Sequence, residues 1–578
     1  MLIDMHRWSS WIQTRWFPLV LFMILSFVLY GNSLVGEFVY DDAFFYKNGS
    51  LRLWSHFPYV FLEPALKSLG NYAPYRPITF ATFALNFLLT GESPFWFHLV
   101  NVVLNGLGCW LLYRVVDRLF GERALAWFCA FCFAFFPIHT ESIAYIKARD
   151  ELLVACFGLS AWLAFLRATE SSKHRTLWSV VAGALSLMSF CSKETSLVFP
   201  GVFGGSLLLL QGFRATIRAW TPLLFQMLAI ATFIAVRAVA LHGQGLPDGE
   251  ILYFGQNPLG YMTYAYVPWT AFQLLFIAIM MTYVPWNLSA TYGFAHVPLI
   301  TSPFQSWMAI AGVVTLILFC SVFLWPRLRR SPIGVGVFMF FVLYFPFSKI
   351  PFYKSIDFFA ERWLYAPSAG LAMIAGYILW SIGKRWKPLT PILCTAIAVA
   401  YAIIIIPRNT IWWNETRLGE SMVKDAPQSV ISYVFLGNNR LQYGRLQEAT
   451  MLVTKGLAIS RDHIPIHHIA AATAMGANEL EVAERATSEA ERLGGDELAN
   501  VIVRATLLAK QHRYQDSLDH LQKSRWFDVT EYRTRMLLAL NLWMLGRREE
   551  AREFFDWDKN LPVQHMTDEQ KITMFETY

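Results

Sequence analysis

The sequence predicts an all-α protein, in which a polytopic membrane domain is followed by a helical repeat domain. Three observations predict this architecture: the hydrophobic fraction is 55%, charged residues make up only 15%, and apolar runs of membrane-spanning length recur before residue 408. A soluble domain usually carries about 25% charged residues, so this composition is typical of a membrane protein.

The charge of the chain changes in sign and density near Pro407. Residues 1–408 hold 28 Lys and Arg against 17 Asp and Glu, whereas residues 409–578 hold 20 against 24. This shift predicts a membrane domain over 1–408 and a soluble domain over 409–578. The net charge of +7 does not indicate nucleic-acid binding, because the basic residues cluster in short loops between apolar runs. The seven cysteines lie in or beside apolar runs, which favours core residues over a disulfide framework.

Twelve apolar runs are candidates to cross the membrane, and basic clusters between them indicate the cytoplasmic side. With the basic clusters on the cytoplasmic side, the chain crosses back and forth up to about residue 241, which then lies outside. Arg327–Arg330 must lie inside, so only one net crossing can separate it from residue 241. Either 264–284 or 305–326 therefore fails to span, and Pro268 and Pro285 favour 264–284 as a re-entrant or broken element. The runs are 17–35, 96–116, 123–138, 151–168, 176–192, 195–211, 219–241, 264–284, 305–326, 333–348, 365–383 and 389–407.

The predicted topology has about 11 transmembrane helices plus this re-entrant element, a cytoplasmic N-terminus and an outer C-terminus. Twelve spans with a cytoplasmic tail is the alternative. The outer loop 36–95, in which we expect amphipathic helices, then shares a face with the tail. The other outer loops are 138–150, 192–195, 241–304 and 349–364. The cytoplasmic clusters are Arg7 and Arg15, Arg114–Arg123, Arg167–Arg175, Arg214–Arg218, Arg327–Arg330 and Lys384–Lys387.

The tail contains an internal repeat with a period of 34 residues. Small side chains recur at two positions of the period, as tetratricopeptide repeats need where their paired helices touch. The tail is therefore predicted to be a solenoid of about four such repeats, with an Ala-rich helical bundle as the alternative. Tetratricopeptide arrays offer a concave surface for segments of partner proteins. The two series are Gly437, Ala471, Ala505 and Ala539, and Ala449, Ala483, Ser517 and Ala551.

Ionisable residues concentrate in the predicted outer loops, beginning with Asp41 and Asp42 in FVYDDAFFYKN. Ionisable groups at membrane depth are costly unless they are paired or face water, which makes them functional candidates. At span ends they also act as anchors or ion pairs, and that interpretation stays open for each loop. Acids together with Arg and Lys can hold an anionic headgroup beside a base. The other candidates are Arg76, His139, Glu141, Arg149, Lys193, Glu194 and Arg362.

Polar residues inside one span indicate packing rather than chemistry. His98, Asn101 and Asn105 lie at i, i+3 and i+7, which predicts hydrogen bonds between helices. The sequence has no P-loop, no GxGxxG before a helix, no HExxH and no Cys/His metal spacing. His139 and Glu141 are too sparse a pair to predict a metal site.

The series of motifs resembles the GT-C superfamily of glycosyltransferases, and in particular the transmembrane and tetratricopeptide repeat O-mannosyltransferases, the TMTC family. The resemblance covers nearly the whole chain. Two departures favour a bacterial relative: the short repeat array, and KARDE where a small residue and Gly are expected before the Arg. The motifs that carry the resemblance are FVYDD, YRPITFATFALNFLL, FHLVNVVLN, FPIHTESIAYIKARDELL, CSKETS, AERWLYAPS, PRNTIWWNE and LGNNRLQYGRLQEA.

The resemblance implies inverting transfer of mannose, or another monosaccharide, from a polyprenyl-phosphate-linked donor to a hydroxyl acceptor on the outer side of the membrane. The implied acceptor is a Ser or Thr of an exported protein recruited by the repeats. A hydroxyl needs a base and the leaving phosphate needs positive charge. A monophosphate donor neutralised by Arg and Lys requires no metal cofactor.

The site residues follow from that chemistry. Asp41 is the expected base, with Asp42 orienting it or binding the sugar or the acceptor. Lipid-phosphate binding is expected from Arg76, Arg149, Lys193 and Arg362, and the sugar or acceptor site from His139, Glu141 and Glu194.

A transporter or flippase of lipid-linked sugars with a tetratricopeptide scaffold is the alternative function, and a membrane anchor for the repeats is a third. A transporter would show charged or helix-breaking residues near mid-span and internal pseudo-symmetry. In this sequence the charged residues gather on the predicted outer face, which does not fit a transporter. A simple membrane anchor would leave the acids and arginines of that face unexplained. The expected setting is an integral membrane protein with periplasmic repeats in a bacterium, or in the endoplasmic reticulum of a eukaryote.

Overall fold

The fold is described from a computed structural model. The structure describes residues 16–46, 49–62, 75–241, 257–285, 288–293, 296–355, 357–494, 498–524 and 532–554, with the single residues 527, 567 and 570. Within these ranges the chain is helical, no strand is assigned, and an isolated bridge pairs Tyr292 with Phe359.

Thirteen helices form the first part of the described chain. They are α1 (Phe17–Tyr30), α2 (Pro77–Thr90), α3 (Pro94–Phe120), α4 (Arg123–Phe135), α5 (Arg149–Glu170), α6 (Arg175–Phe190), α7 (Phe199–Gln211), α8 (Trp220–Ala240), α9 (Val267–Tyr283), α10 (Trp307–Ser321), α11 (Pro332–Tyr344), α12 (Tyr365–Arg385) and α13 (Leu389–Asn409). Short helical segments Ala43–Tyr46, Thr140–Ala144, Phe213–Arg218 and Pro326–Arg329 lie between them.

Eight helical segments of the described chain are long and apolar enough to cross a membrane, and nine if one bent pair counts as a span. The bent pair joins Arg123–Phe135 to Pro137–Ala144 at 54°. The described helices α2, α6 and α11 are apolar but shorter. Length and composition therefore give fewer spans than the predicted eleven, and the number of crossings stays a prediction.

The expected break at 264–284 is absent from the helix itself. Pro268 lies in the first turn of α9, where its missing N–H would have no partner within the helix, so it begins the helix without bending it. The segment Tyr264–Tyr283 is also long enough to span. Whether α9 crosses or re-enters stays a prediction.

A short chain of neutral hydrogen bonds links α1, α3 and α12 in the apolar interior. Ser26 Oγ donates to the Val102 carbonyl at 2.7 Å, and Asn105 donates to Ser26 Oγ at 2.9 Å. The Tyr365 hydroxyl donates to Asn105 Oδ1 at 2.9 Å. This confirms the prediction that Asn105 bonds between helices, a contact worth about 0.6 kcal/mol on average in membrane proteins.

The last part of the described chain consists of helix α14 and four helix pairs. Their first helices begin at residues 430, 464, 498 and 532, and their second helices at 446, 480, 514 and 548, a constant step of 34 residues. The helices are α14 (Glu415–Asp425), α15 (Val430–Gln442), α16 (Leu446–Ile459), α17 (Ile464–Gly476), α18 (Leu480–Gly494), α19 (Leu498–Lys510), α20 (Tyr514–Lys523), α21 (Tyr532–Met544) and α22 (Arg548–Arg552).

The turn inside each pair repeats as well. One residue of each turn has a left-handed backbone, which Gly and Asn adopt most readily. The small residues of both predicted series are buried at the contacts between helices, and the tetratricopeptide assignment stays a prediction. The left-handed residues are Gly444, Asn478, His512 and Gly546, again 34 apart.

The junction between α13 and α14 packs directly on loops of the membrane domain. The Tyr145 and Trp412 rings stack with centroids 4.9 Å apart, and the Glu37 N–H donates to the Trp413 carbonyl at 2.7 Å. Leu418 of α14 is buried in the same apolar cluster. These contacts place the start of the repeats on the face of the molecule that carries residues 36–42.

Helices α11 and α12 approach each other at two glycines. A Cβ atom built on Gly370 would lie 2.3 Å from the Gly336 carbonyl oxygen, and one on Gly336 would lie 2.5 Å from the Gly370 carbonyl oxygen. Only glycine allows this approach, which is a common way to pack helices in membranes. The contact fixes the position of α12, and Arg362 lies just before the N-terminal end of that helix.

We expect Gly370→Val to lower the free energy of unfolding by at least about 1–3 kcal/mol, because the new side chain must push two backbones apart. Thermal unfolding in detergent measures the change. Gly201→Ala is the matched control, since its Cβ would meet only Val342 at an ordinary 3.5 Å. Equal stability of the Gly370 variant and the control would contradict the close contact.

Candidate functional site

The segment that carries the two acids is held by one buried carboxylate. Asp42 is fully buried, and its two oxygens accept hydrogen bonds from the backbone N–H groups of Val39 and Lys147, each at 2.9 Å. Burial raises the pKa of the Asp42 carboxyl well above its usual range, although these two donors act in the opposite direction. Asp42 therefore joins the segment that follows α1 to the turn that precedes α5.

Tyr40, next to the acids, has a left-handed backbone with φ of +55°. Such a conformation costs a bulky residue about 1–3 kcal/mol and persists only where surrounding contacts impose it. The Asp42 hydrogen bonds and the packing of the Tyr40 ring against Tyr145 and Phe435 supply those contacts. These contacts hold the strained backbone immediately before Asp41.

Asp41 is the less buried acid of the pair. Its side chain is 27% exposed, and its nearest cationic partner is Lys147 Nζ at 3.6 Å. Its backbone N–H donates to the Tyr145 hydroxyl at 3.1 Å. A carboxylate in this position is accessible and loosely paired, which suits a group that accepts a proton.

Lys147 occupies the centre of the charged cluster. Its side chain is 26% exposed, and it lies within electrostatic reach of Asp41, Arg362, Asp150 and Arg76. The structure thus brings together three loops that are far apart in the sequence.

Arg362 lies within electrostatic reach of Lys147 and bridges two acids. It donates from Nη1 to Glu141 at 2.5 Å and from Nη2 to Asp357 at 2.9 Å. Its backbone N–H also donates to Glu141 at 2.9 Å. Glu141 is buried, so the contact fixes the guanidinium within electrostatic reach of the Tyr145 hydroxyl and of Asp41.

The loop that supplies Asp357 is held by a buried lysine. Lys349 Nζ donates to Ser355 Oγ at 2.6 Å and to the carbonyl of Asp357. Burial lowers the pKa of Lys349 to about 7, against the opposing charge of Asp357. The Lys349 backbone is left-handed, with φ of +65°, so this loop also carries strain.

Arg76 also lies within electrostatic reach of Lys147 and binds two acids. It donates to both oxygens of Glu194 at 3.0 and 2.7 Å, and to Asp150 at 2.8 Å. Burial would raise the pKa of Glu194, but the charge and hydrogen bonds of Arg76 outweigh it and hold that pKa at about 2. Glu194 is therefore ionised, and its side chain is 40% exposed.

Lys193 completes this second network. Its Nζ lies 2.5 Å from Glu151 and 3.5 Å from Asp150, and its side chain is buried. Asp150 thus joins Arg76 and Lys193.

Arg149 is enclosed by neutral groups. It donates to Asn101 at 2.9 Å, Asn86 at 2.8 Å, Thr82 at 3.2 Å and the Phe97 carbonyl at 2.9 Å. The guanidinium also lies 4.5 Å from the centre of the Phe83 ring. This fully buried arrangement orders α2, α3 and α5 around one charge, and phosphate binding by Arg149 stays a prediction.

His139 lies deeper than the other predicted residues. It is fully buried between the rings of Phe133 and Tyr365, and its Nε2 forms a 2.8 Å hydrogen bond with Ser368. Glu141, two residues later, points instead to Arg362. The structure therefore separates His139 from the charged cluster.

A small cavity opens beside Arg362. Its walls include one residue of the first repeat helix, Ile431, so the tail contributes to the site. The other lining residues are Tyr40, Ala290, Thr291, Tyr292, Asp357 and Phe359.

Three contributors to the site have no role assigned from the sequence. Lys147 stands in the same loop as Arg149, and its place in KARDE was a usable signal. Glu361 was also detectable beside Arg362; it is buried and accepts from Arg408, Tyr292 and the Ser289 N–H. Ile431 gives no signal, because only the packing of the tail brings it to the cavity.

Within the described residues, no group of three or more His, Cys, Asp or Glu side chains is arranged to hold a metal ion. That no metal is required stays a prediction, since it follows from the chemistry of the donor.

The two acids differ in a way that stability measurements can separate. We expect Asp42→Asn to lower the free energy of unfolding by about 1–3 kcal/mol, because an amide nitrogen would face a buried N–H donor. Asp41→Asn is the matched control and should change it by less than about 0.5 kcal/mol. Chemical unfolding in detergent compares the two. A larger loss for the Asp41 variant would reverse the assignment.

Part of the chain matches a described protein family. Residues 74–238 match the family of dolichyl-phosphate-mannose-protein mannosyltransferases. The matched region includes the Arg76, Arg149 and Lys193 networks, whereas Asp41 and Arg362 lie outside it.

Curated relatives extend the similarity along the chain. Protein O-mannosyl-transferase TMTC1 of Mus musculus is 34% identical over 195 residues, which cover 31% of this chain and 20% of that relative. Protein O-mannosyl-transferase TMTC4 of Mus musculus is 24% identical, covering 76% of this chain and 66% of that relative. Protein O-mannosyl-transferase Tmtc3 of Drosophila melanogaster is 23% identical, covering 86% and 63%.

The chain spans less than two thirds of the length of each of these relatives. Bacterial origin stays a prediction. The family match and the relatives support the resemblance inferred from the motifs: the chain is similar to the TMTC protein O-mannosyl-transferases.

Proposed function

We propose that this chain is a membrane glycosyltransferase that moves mannose from a polyprenyl-phosphate-linked donor to a Ser or Thr hydroxyl of a protein. The observation that carries the proposal is the position of Asp41, a partly exposed carboxylate with Lys147 3.6 Å away. The named relatives are protein O-mannosyl-transferases, which supports the same reaction class.

Asp41 acts as the general base in this proposal. As the acceptor oxygen attacks C1 of the sugar, its proton passes to the Asp41 carboxylate. The bond between C1 and the phosphate oxygen breaks, and its electron pair leaves with the polyprenyl phosphate. Attack opposite to the leaving group inverts the configuration at C1. A positioned base of this kind contributes about 10²–10⁴-fold in rate.

The leaving phosphate needs a cation that is not fully committed elsewhere. Lys147 is the best placed, since its side chain is partly exposed and its contact with Asp41 is long. Arg362 can exchange its contact with Asp357, whose side chain is 37% exposed, for a phosphate oxygen. Arg76 and Lys193 are paired with Asp150, Glu151 and Glu194, so they hold these acids in place without adding net positive charge. Arg149 orders the supporting helices.

One acid next to these cations is suited to binding the sugar. Glu194 is ionised and partly exposed, so it can accept hydrogen bonds from sugar hydroxyls. Glu141 and His139 are buried, and we assign them to positioning of Arg362 and of α12 respectively. Lysine and arginine supply the positive charge, so a metal is not part of the proposal.

The acceptor is proposed to enter from the repeats. Phe435 contacts the Tyr40 ring at 5.5 Å, and Ile431 lines the cavity beside Arg362. A segment bound on the concave surface of the repeats would therefore lead towards Asp41. This geometry supports a protein acceptor over a lipid substrate that stays within the membrane.

Asp41→Asn should lower mannosyl transfer by at least about 10²-fold, because the amide cannot take the proton. The assay uses the purified full chain, polyprenyl-phosphate mannose and Ser/Thr-containing exported proteins, with the product detected by mass spectrometry. Asp117→Asn is the matched control, since Asp117 lies at the other end of α3.

If the Asp41→Asn variant transfers mannose at the rate of the unsubstituted protein, Asp41 is not the base. Movement of the lipid-linked sugar across the membrane without transfer would replace the enzyme by a flippase.

The proposed orientation places the site and the repeats outside and the N-terminus in the cytoplasm, from the basic clusters. We expect a cysteine at the exposed position Thr450 in α16 to react with an impermeant thiol reagent added from outside. Ser172→Cys, in the exposed turn after α5, should react only after the membrane is disrupted. The opposite result would place the repeats in the cytoplasm.

A further inference from the structure

A second charged feature lies at the far ends of α3 and α5. It is a cavity of about 470 Å³, which we call the arginine cavity. Its walls come from the C-terminal ends of α3 and α5 and the start of α4. Its charged lining residues are Arg114, Asp117, Arg118, Arg123, Arg167 and Glu170.

The arginine cavity is about one membrane thickness from Asp41. Asn101, which contacts the Tyr145 carbonyl near Asp41, is 17 residues before Arg118 on α3. At 1.5 Å per residue this is a rise of about 25 Å, close to the ~30 Å hydrocarbon core of a bilayer. The segments between the two ends are apolar enough to span. The cavity therefore lies near the opposite membrane surface from the site.

The charge of the arginine cavity is incompletely balanced. Four arginines face two acids, a net charge of +2. Arg118 and Glu170 pair with each other. Arg114 and Arg123 form no salt bridge with any residue that the structure describes, and they keep their donors available for an anion.

Aromatic rings border the arginines. The Arg114 guanidinium lies 5.5 Å from the centre of the Trp110 ring, and that of Arg167 lies 4.5 Å from the centre of the Trp178 ring. Tryptophan is enriched at the membrane–water interface, where its ring lies at headgroup depth. Arginines beside tryptophan rings at the ends of spanning helices are the arrangement expected at the depth of lipid phosphates.

We propose that the arginine cavity binds the phosphate of an anionic phospholipid on the side of the membrane opposite to the transfer site. Arginine matches phosphate geometry because its planar fork donates two parallel hydrogen bonds. The cavity volume of about 470 Å³ leaves room for a headgroup, because one water molecule takes only about 30 Å³ of liquid volume. The proposal does not depend on the transfer reaction.

The test measures lipid binding to the purified full chain by native mass spectrometry, with phosphatidylglycerol and phosphatidylcholine as separate probes. We expect Arg114→Gln combined with Arg123→Gln to weaken phosphatidylglycerol binding about 30-fold and phosphatidylcholine binding much less, because the choline cation offsets the charge of its phosphate. Arg327→Gln combined with Arg330→Gln removes the same charge from exposed positions at another predicted cytoplasmic loop and should have little effect.

Two further arms keep the result interpretable. Arg114→Lys combined with Arg123→Lys keeps the charge but loses the planar fork, so it should retain part of the preference that the Gln pair loses, which separates lost charge from a folding defect. Inorganic phosphate added at millimolar concentration should not displace the lipid. Equal binding of both lipids, an equal loss in the control pair, or displacement by inorganic phosphate would each overturn the proposal.

Discussion

The candidate site depends on the two hydrogen bonds that the buried Asp42 carboxylate accepts from the backbones of Val39 and Lys147. A buried carboxylate is costly without such partners, so this contact permits few other arrangements of the loop. It imposes the left-handed backbone of Tyr40 and leaves Asp41 partly exposed beside Lys147. The same turn presents Tyr145 to Trp412, so the attachment of the repeats rests on it as well.

Around that loop, positive and negative side chains are paired in two networks, one centred on Arg362 and one on Arg76. Pairing is what allows so many charges to be buried, because an isolated charge in a low-dielectric interior would be far more costly. It also sets which groups can change partner. Contacts to partly exposed acids, as between Arg362 and Asp357, can be exchanged for a substrate phosphate at less cost than the buried contact with Glu141.

Helices α3 and α5 connect two chemically different ends. One end carries the ion-pair networks, the other carries the arginine cavity, and the apolar interior between them contains the neutral ladder from Ser26 to Tyr365. This distribution follows from the bilayer, which tolerates neutral hydrogen-bonded groups in its core and places unbalanced charge at its surfaces. Close packing at Gly336 and Gly370 holds α12, and with it the preceding Arg362, against α11.

The sequence alone determined the helical class, the apolar runs, the 34-residue period of the tail and most of the charged residues of the site, because periodicity and charge are local properties of a chain. Tertiary structure decided the division of labour: Asp42 is a structural acceptor, Arg149 is enclosed by neutral groups, His139 is separated from the cluster, and Lys147 lies at its centre. It also brought Ile431 to the cavity. These roles depend on which distant loops meet and on what each side chain is buried against, and residue type and spacing do not contain that information.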